Sequence, residues 1–126
     1  MANEQLGLVE RHFADIIWDN EPISSTNLVK LAREKLQWKK STTYTVLKRL
    51  CEKGFFKNEG GAVTSLVSRD EYLSSISYKF VNDTFHGSLP SFVAAFSAVR
   101  QISDKEWEEI RKMIYRKMET GNKSKG

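Results

Sequence analysis

The chain has 126 residues, 40% of them hydrophobic and 29% charged, with a formal net charge of +4. This length and balance predict one folded domain, or one small domain with an oligomerisation piece, and exclude a disordered or fibrous chain. No apolar run approaches the ~20 residues of a membrane-spanning helix, the N-terminus lacks the regions of a signal peptide, and one cysteine with two histidines rules out an internal disulfide and leaves too few ligands for a metal cage.

A cytoplasmic protein without membrane insertion is therefore expected. Leu8–Trp18 reads as a first helix, with Val9, Phe13, Ile16 and Ile17 at helical spacing. Asn20-Glu21-Pro22 ends it, since proline cannot continue a helix. Ile23 marks a very short strand, and Ser24 is placed to cap a second helix from Ser25 to about Lys35, with Leu28, Leu31 and Ala32 inward. Gln37–Lys40 is the turn. A third helix runs from about Ser41 to Lys53, and Gly54 suits the left-handed position after its end. At 3.6 residues per turn, Thr43, Val46, Leu47, Leu50 and Cys51 gather on one side of this helix. Ser41, Tyr44, Thr45, Lys48 and Glu52 gather on the other, with Thr42 and Arg49 at one flank.

Phe55–Asn58 and Ala62–Ser68 read as two strands joined by the turn Glu59-Gly60-Gly61. Asp70 is expected to cap a fourth helix with Leu73, Ile76, Phe80 and Thr84 inward. After Gly87-Ser88, a fifth helix covers Leu89–Val99 and is nearly all apolar or small. The capping-box pattern Ser103-Asp104-Lys105-Glu106 opens a sixth helix, striped by Trp107, Ile110, Ile114 and Met118. The expected fold is mainly α with a small β-hairpin wing. A winged helix-turn-helix occupies residues 1–70, a helical dimerisation region 71–120, and a flexible tail 121–126. The dimerisation region is too small to be comfortable alone. Its apolar Ile76, Phe80, Phe92, Val93, Phe96, Trp107, Ile110 and Ile114 call for burial against a second copy, and a symmetric dimer is the simplest closed solution.

Charge is concentrated in one segment. Between Lys30 and Lys57 nine lysines and arginines face only Glu34 and Glu52, a net +7, while the remaining residues sum to −3. Focused cation density of this kind is the electrostatic footprint of nucleic-acid binding. The third helix is the expected reader of double-stranded DNA. Lys39, Lys40, Ser41, Thr42, Tyr44, Thr45, Lys48 and Arg49 supply charge and hydroxyls to phosphates and base edges, and the helix N-terminus faces phosphate. Lys57, Arg11, Lys30 and Arg33 are further candidates for phosphate contact, each weighed against plain solvation.

Several stretches together resemble the penicillinase-repressor family (the BlaI/MecI/CopY group). They are E-x2-F-A-D-I-I-W-D (Glu10–Asp19) with S-x-x-x-L-V (Ser24–Val29), then W-K-K-S-T-T-Y-T-V-L-K-R-L-C-E-K-G (Trp38–Gly54). L-V-S-R-D-E-Y (Leu66–Tyr72), S-F-V-A-A-F (Ser91–Phe96) and I-S-D-K-E-W-E-E-I (Ile102–Ile110) follow in the expected order. The resemblance implies a homodimeric winged-helix repressor on a palindromic operator. It also implies release by proteolysis, with a membrane metalloprotease sensor as candidate partner, or by metal in the copper-responsive branch. Here the copper branch's C-terminal cysteine cluster is missing, and the hairpin lacks the usual aromatic residue on its return strand. The bond matching the family's cleavage site is Ala95–Phe96, with alanine where the family has asparagine.

Other readings stay open at this level. A winged helix also serves as a protein-interaction module without specific DNA readout, since fold does not fix function. Phe92, Val93, Phe96, Trp107 and Ile110 form either a dimer core or the pocket of a small-molecule sensor. Trp38 either anchors the turn or stacks on a sugar. Cys51 is either a buried thiol or a redox sensor. No catalytic signature is present, neither G-x-S-x-G, P-loop nor H-E-x-x-H, so neither enzymatic activity nor a cofactor is expected.

Overall fold

A computed structural model describes residues 5–125 of the chain, with side chains through 121. The elements follow in the order α1 (Leu8–Asn20), β1 (Ile23–Ser24), α2 (Ser25–Leu36), α3 (Lys40–Glu52), β2 (Phe56–Glu59), β3 (Ala62–Ser65), α4 (Arg69–Thr84), α5 (Leu89–Val99) and α6 (Asp104–Lys125). The mainly-α, winged helix-turn-helix architecture expected from the sequence is the one observed. Two compact units divide between Phe80 and Val81, ten residues beyond the boundary expected at 70.

The first unit closes around one core. Phe13 and Ile17 from α1, Leu28 and Ala32 from α2, and Leu47 and Leu50 from α3 are buried together with Phe55, Phe56 and Val63. Each helix buries one stripe at 3.6-residue spacing and leaves the opposite face to water. The wing is an antiparallel sheet in the order β1-β3-β2, with Ile23 opposite Val63 and Lys57 opposite Thr64. Gly60 and Gly61 have φ of +59° and +84°, the positive values that a two-residue hairpin turn needs at both central positions. The return strand ends at Ser65, three residues earlier than expected. There the N–H groups of Leu66 and Val67 turn to donate to Phe55 O, at 2.8 and 3.2 Å, and leave the ladder. Glu21, after the end of α1, accepts from Ser65 N–H (2.9 Å) and Ser65 Oγ (2.7 Å), which holds that end of the hairpin.

α4 departs most from the expected pattern. Its cap is Ser68 rather than Asp70: Ser68 Oγ accepts from Glu71 N–H at 3.1 Å, and Glu71 Oε1 accepts from Ser68 N–H at 3.3 Å, a reciprocal capping box. Its one fully buried side chain is Tyr72, while Leu73 and Phe80, expected inward, are exposed. Tyr72 packs on Trp18 and Phe55 at ring distances of 5.7 and 5.8 Å, and its hydroxyl accepts from Leu6 N–H at 2.7 Å. Ile76, expected at a dimer interface, packs against the same core. These contacts carry the first unit past residue 70. Arg69 completes the joint: it donates to Asp15 Oδ1 (3.1 Å), Asp15 O (3.2 Å) and Asp19 Oδ1 (2.7 Å), and stands 5.6 Å from the Trp18 ring.

The second unit comprises the end of α4, α5 and α6. Ser88 caps α5 through Ser91 N–H at 3.1 Å, and Ser103 caps α6 through Glu106 N–H at 3.1 Å, both as helix-start chemistry requires. Phe85 meets Phe92 edge-to-face at 5.7 Å, and Phe92 meets Phe96 at a tilt at 6.1 Å. Arg100 stands over Phe96 at 5.4 Å and donates to both carboxylate oxygens of Glu106 at 2.8 and 3.0 Å. The helix continues to Lys125, so the expected tail at 121–126 falls on its last turns; Gly126 and the side chains beyond 121 lie outside the described residues.

Tyr72→Phe removes the hydroxyl that accepts from the buried Leu6 N–H. A loss of about 1–3 kcal/mol is expected, the cost of an unsatisfied buried donor, read as a lower urea midpoint at unchanged m-value.

Candidate nucleic-acid interface

α3 is where charge, hydroxyls and exposure meet. Thr43, Val46, Leu47 and Leu50 are buried, which turns Ser41, Thr42, Thr45, Lys48, Arg49 and Glu52 outward. The start of the helix carries no side-chain cap, so its first-turn N–H groups are left for solvent or an anion. Lys39 and Lys40 stand exposed beside it. Among the described residues, Lys39, Lys40 and Lys48 form no ion pair. The turn into α3 is stiff. Gln37 closes α2 at φ +57°, its N–H donates to Arg33 O at 3.1 Å, and Trp38 N–H reaches Ala32 O at 3.3 Å. Trp38 anchors the turn against Phe13, with ring centroids 5.1 Å apart. At the far end Gly54 takes φ +88°. Its N–H donates to Cys51 O and that of Phe55 to Leu50 O, both at 3.0 Å, so α3 stops where the wing begins.

Not all the expected contact residues are equally presented. Ser41, Thr42, Thr45 and Lys48 face outward as expected, although Thr45 Oγ1 donates to Ser41 O at 2.9 Å and retains only its lone pairs for a partner. Tyr44 is half-buried against the core and its hydroxyl donates to Ser25 Oγ at 3.3 Å. It braces α3 against the start of α2. Arg49 sits at the flank of the face, with Nη1 3.6 Å from Glu10 Oε2 on α1. Arg11, weighed as a phosphate contact, pairs with Asp15 and lies over Trp18 and Tyr72 at 5.8 and 5.6 Å. Lys57 pairs with Glu59 at 3.4 Å, while Lys30 and Arg33 remain exposed on α2. Glu10, Ser25 and Glu59 belong to this surface although all three lie outside the basic segment from Lys30 to Lys57. Only the folded packing of α1 and α2 on α3 brings them there.

The sequence model of the family described as penicillinase repressor matches residues 6–116. The chain belongs to the penicillinase repressor family. It is 27% identical over 117 residues to the methicillin resistance regulatory protein MecI of Staphylococcus aureus (strain Mu50), a match covering 90% of this chain and 95% of that protein. The MecI protein of Mammaliicoccus sciuri is 26% identical over the same coverage. The penicillinase repressor of Staphylococcus aureus is 24% identical over 120 residues, again 90% of this chain and 95% of that protein. The family match therefore takes in the winged unit, α4, α5 and most of α6. Among the described residues no group of three His, Cys, Asp or Glu side chains is placed to hold a metal ion, and no helix is long and apolar enough to cross a membrane.

Cys51, weighed as either a buried thiol or a redox sensor, is half-buried against the core. Burial, and then the neighbouring Glu52 carboxylate, push its thiol above the ordinary cysteine range. A raised pKa means the folded state holds the proton to higher pH, so less of the reactive thiolate is present at any given pH. Iodoacetamide at pH 8.5 should alkylate the native protein more slowly than the urea-unfolded chain, measured by mass spectrometry of timed samples; equal rates would mean an accessible, unperturbed thiol.

Proposed function

We propose that the protein is a transcriptional repressor that binds double-stranded DNA, as a homodimer on a palindromic operator, with α3 in the major groove. The observation that carries the DNA reading is the outer face of α3: an uncapped helix start, three cations at Lys39, Lys40 and Lys48 that form no ion pair among the described residues, and exposed hydroxyls at Ser41 and Thr42. Lysines and helix-start N–H groups neutralise and bond phosphate, and this supplies most of the affinity. Hydroxyls bond base edges with less discrimination than the bidentate arginine–guanine pair, so part of the specificity falls to DNA shape. Family membership supports the same reading: the relatives named above are a penicillinase repressor and a methicillin resistance regulatory protein.

The dimer rests on the second unit. No α5 residue is buried, and on α6 Trp107, Met113, Ile114, Tyr115 and Met118 are 40 to 63% exposed. Phe92, Val93, Phe96, Ile102 and Ile110 surround an open apolar cleft of about 230 Å³. An apolar face of this extent on a unit too small to bury it is stabilised by a partner surface. A second copy satisfies this through a self-complementary interface. Release by a membrane metalloprotease sensor, cutting at Ala95–Phe96, would require α5 to open first, because that bond lies inside the helix Leu89–Val99.

Gel shifts at fixed salt test the reading. Lys48→Ala should weaken binding of every duplex and reduce the slope of log affinity against log salt by about one unit. Thr42→Ala should weaken the operator more than random sequence. Unchanged affinity in both variants would remove α3 as the reader. A solution mass near twice the 14.5 kDa of the chain is expected by sedimentation, and Ile110→Asp should bring it down to that of a single chain.

A further inference from the structure

Three cations of the basic segment are already matched by carboxylates. Glu10 Oε2 lies 3.6 Å from Arg49 Nη1 and 3.5 Å from Lys53 Nζ. Lys57 Nζ lies 3.4 Å from Glu59 Oε1. The two carboxylates are not equivalent. Glu59 sits at the wing tip with its side chain 75% exposed, and such pairs are worth little in water. The Glu10 side chain is only 18% exposed, and its other oxygen, Oε1, accepts from Gly7 N–H at 3.3 Å. One oxygen serves the helix start, and the other is held against the flank of α3.

We propose that Glu10 is a built-in competitor for DNA phosphate, which withholds Arg49 and Lys53 from the nucleic-acid backbone and so lowers the affinity for random sequence. The proposal rests on the DNA-binding reading of α3. Binding of random sequence is almost wholly electrostatic and grows with the number of phosphates neutralised. A phosphate approaching Arg49 or Lys53 meets the Glu10 charge as well and must displace it or be repelled. The loss falls on every duplex alike, whereas the contacts of Ser41 and Thr42 to base edges are untouched. A carboxylate at this position therefore lowers the affinity for every duplex by a similar factor and leaves the operator-to-random ratio to the groups on the outer face of α3.

The test is a salt titration of a fluorescent random-sequence duplex followed by anisotropy, with the full-length chain. Glu10→Gln keeps the oxygen that accepts from Gly7 N–H and removes the charge. The slope of log affinity against log salt should steepen by about one to two units, with random duplex bound roughly tenfold tighter at 0.1 M salt for each cation released. Adding Arg49→Gln and Lys53→Gln to Glu10→Gln should bring the slope back to or below that of the unaltered protein, which ties the gain to these two cations. Glu109→Gln, on the exposed face of α6, raises net charge equally and should leave the slope unchanged. An unaltered slope in Glu10→Gln, or an equal rise in Glu109→Gln, overturns the competitor role while leaving the DNA reading in place. Absence of duplex binding by both the unaltered protein and Glu10→Gln across the whole salt range overturns the DNA reading, and the competitor role with it.

Discussion

The roll of α3 about its own axis is the constraint on which the rest depends. A helix turns about 100° per residue, so a rotation by one residue's step would exchange Lys48 for Leu47 at the surface. The rotation is set by burying Thr43, Val46, Leu47 and Leu50 against α1 and α2. Burial alone leaves some freedom, because apolar contact is not directional. Two polar contacts remove it from opposite flanks: Tyr44 hydroxyl to Ser25 on one side, and Arg49 with Lys53 to Glu10 on the other. The ends are set independently by Trp38 on Phe13 and by Gly54. The outward face is therefore fixed before any partner arrives, which spares a partner the entropy of ordering it.

A second rigid joint lies between α1 and α4. Trp18 is its centre. Its ring is packed by Phe56 and Tyr72, flanked by the guanidinium groups of Arg11 and Arg69, and its Nε1–H donates to Val67 O at 3.0 Å. Both arginines share Asp15, and Arg69 also reaches Asp19, whose bond raises the Arg69 pKa further. Such a cluster combines area burial with cation–π contact and planar hydrogen bonding, which lysine would not reproduce. Its consequence is topological: the first three turns of α4 belong to the winged unit, and the fold's division falls within a continuous helix instead of at the loop before it.

Local chemistry was readable from the chain wherever the deciding residues are close in sequence. Ser24 and Ser103 cap the helices they precede, Gly54 ends α3, and Gly60-Gly61 turns the hairpin. The apolar stripe of α3 was readable too, since its period is that of the helix. What was not readable depends on distant partners. Tyr44 and Arg49 have the right chemistry for DNA and the right helical spacing, yet Ser25 and Glu10, nineteen and thirty-nine residues away, claim them first. In α4 the stripe of Leu73, Ile76 and Phe80 is a valid amphipathic pattern, but Tyr72 wins the core because Trp18, Phe55 and Leu6 offer it both ring contacts and a backbone donor. Periodicity defines a face; only the surface opposite decides whether that face is buried.

The wing shows how the distribution of charge follows from these choices. Gly61 O accepts from Ser25 N–H at 2.7 Å, and β1 pairs with β3, so the tip of the hairpin is spent on bracing the start of α2. A Cβ on Gly61 would meet Ser25 Oγ at 3.8 Å, an ordinary contact, so it is the positive φ that favours glycine there. With two glycines at the tip, Ala62 after them and Lys57 paired to Glu59, the hairpin brings neither an aromatic side chain nor an unpaired cation to its end. In the winged unit, the exposed cations without an ion pair among the described residues thus lie on α2 and α3, from Lys30 to Lys48. A duplex approaching this protein meets its attraction at the start of α3, where the helix N–H groups and the hydroxyls are, and the carboxylates of Glu10 and Glu59 screen the flanks on either side. The field itself then favours docking by the end of the helix that carries the groups able to read a base edge.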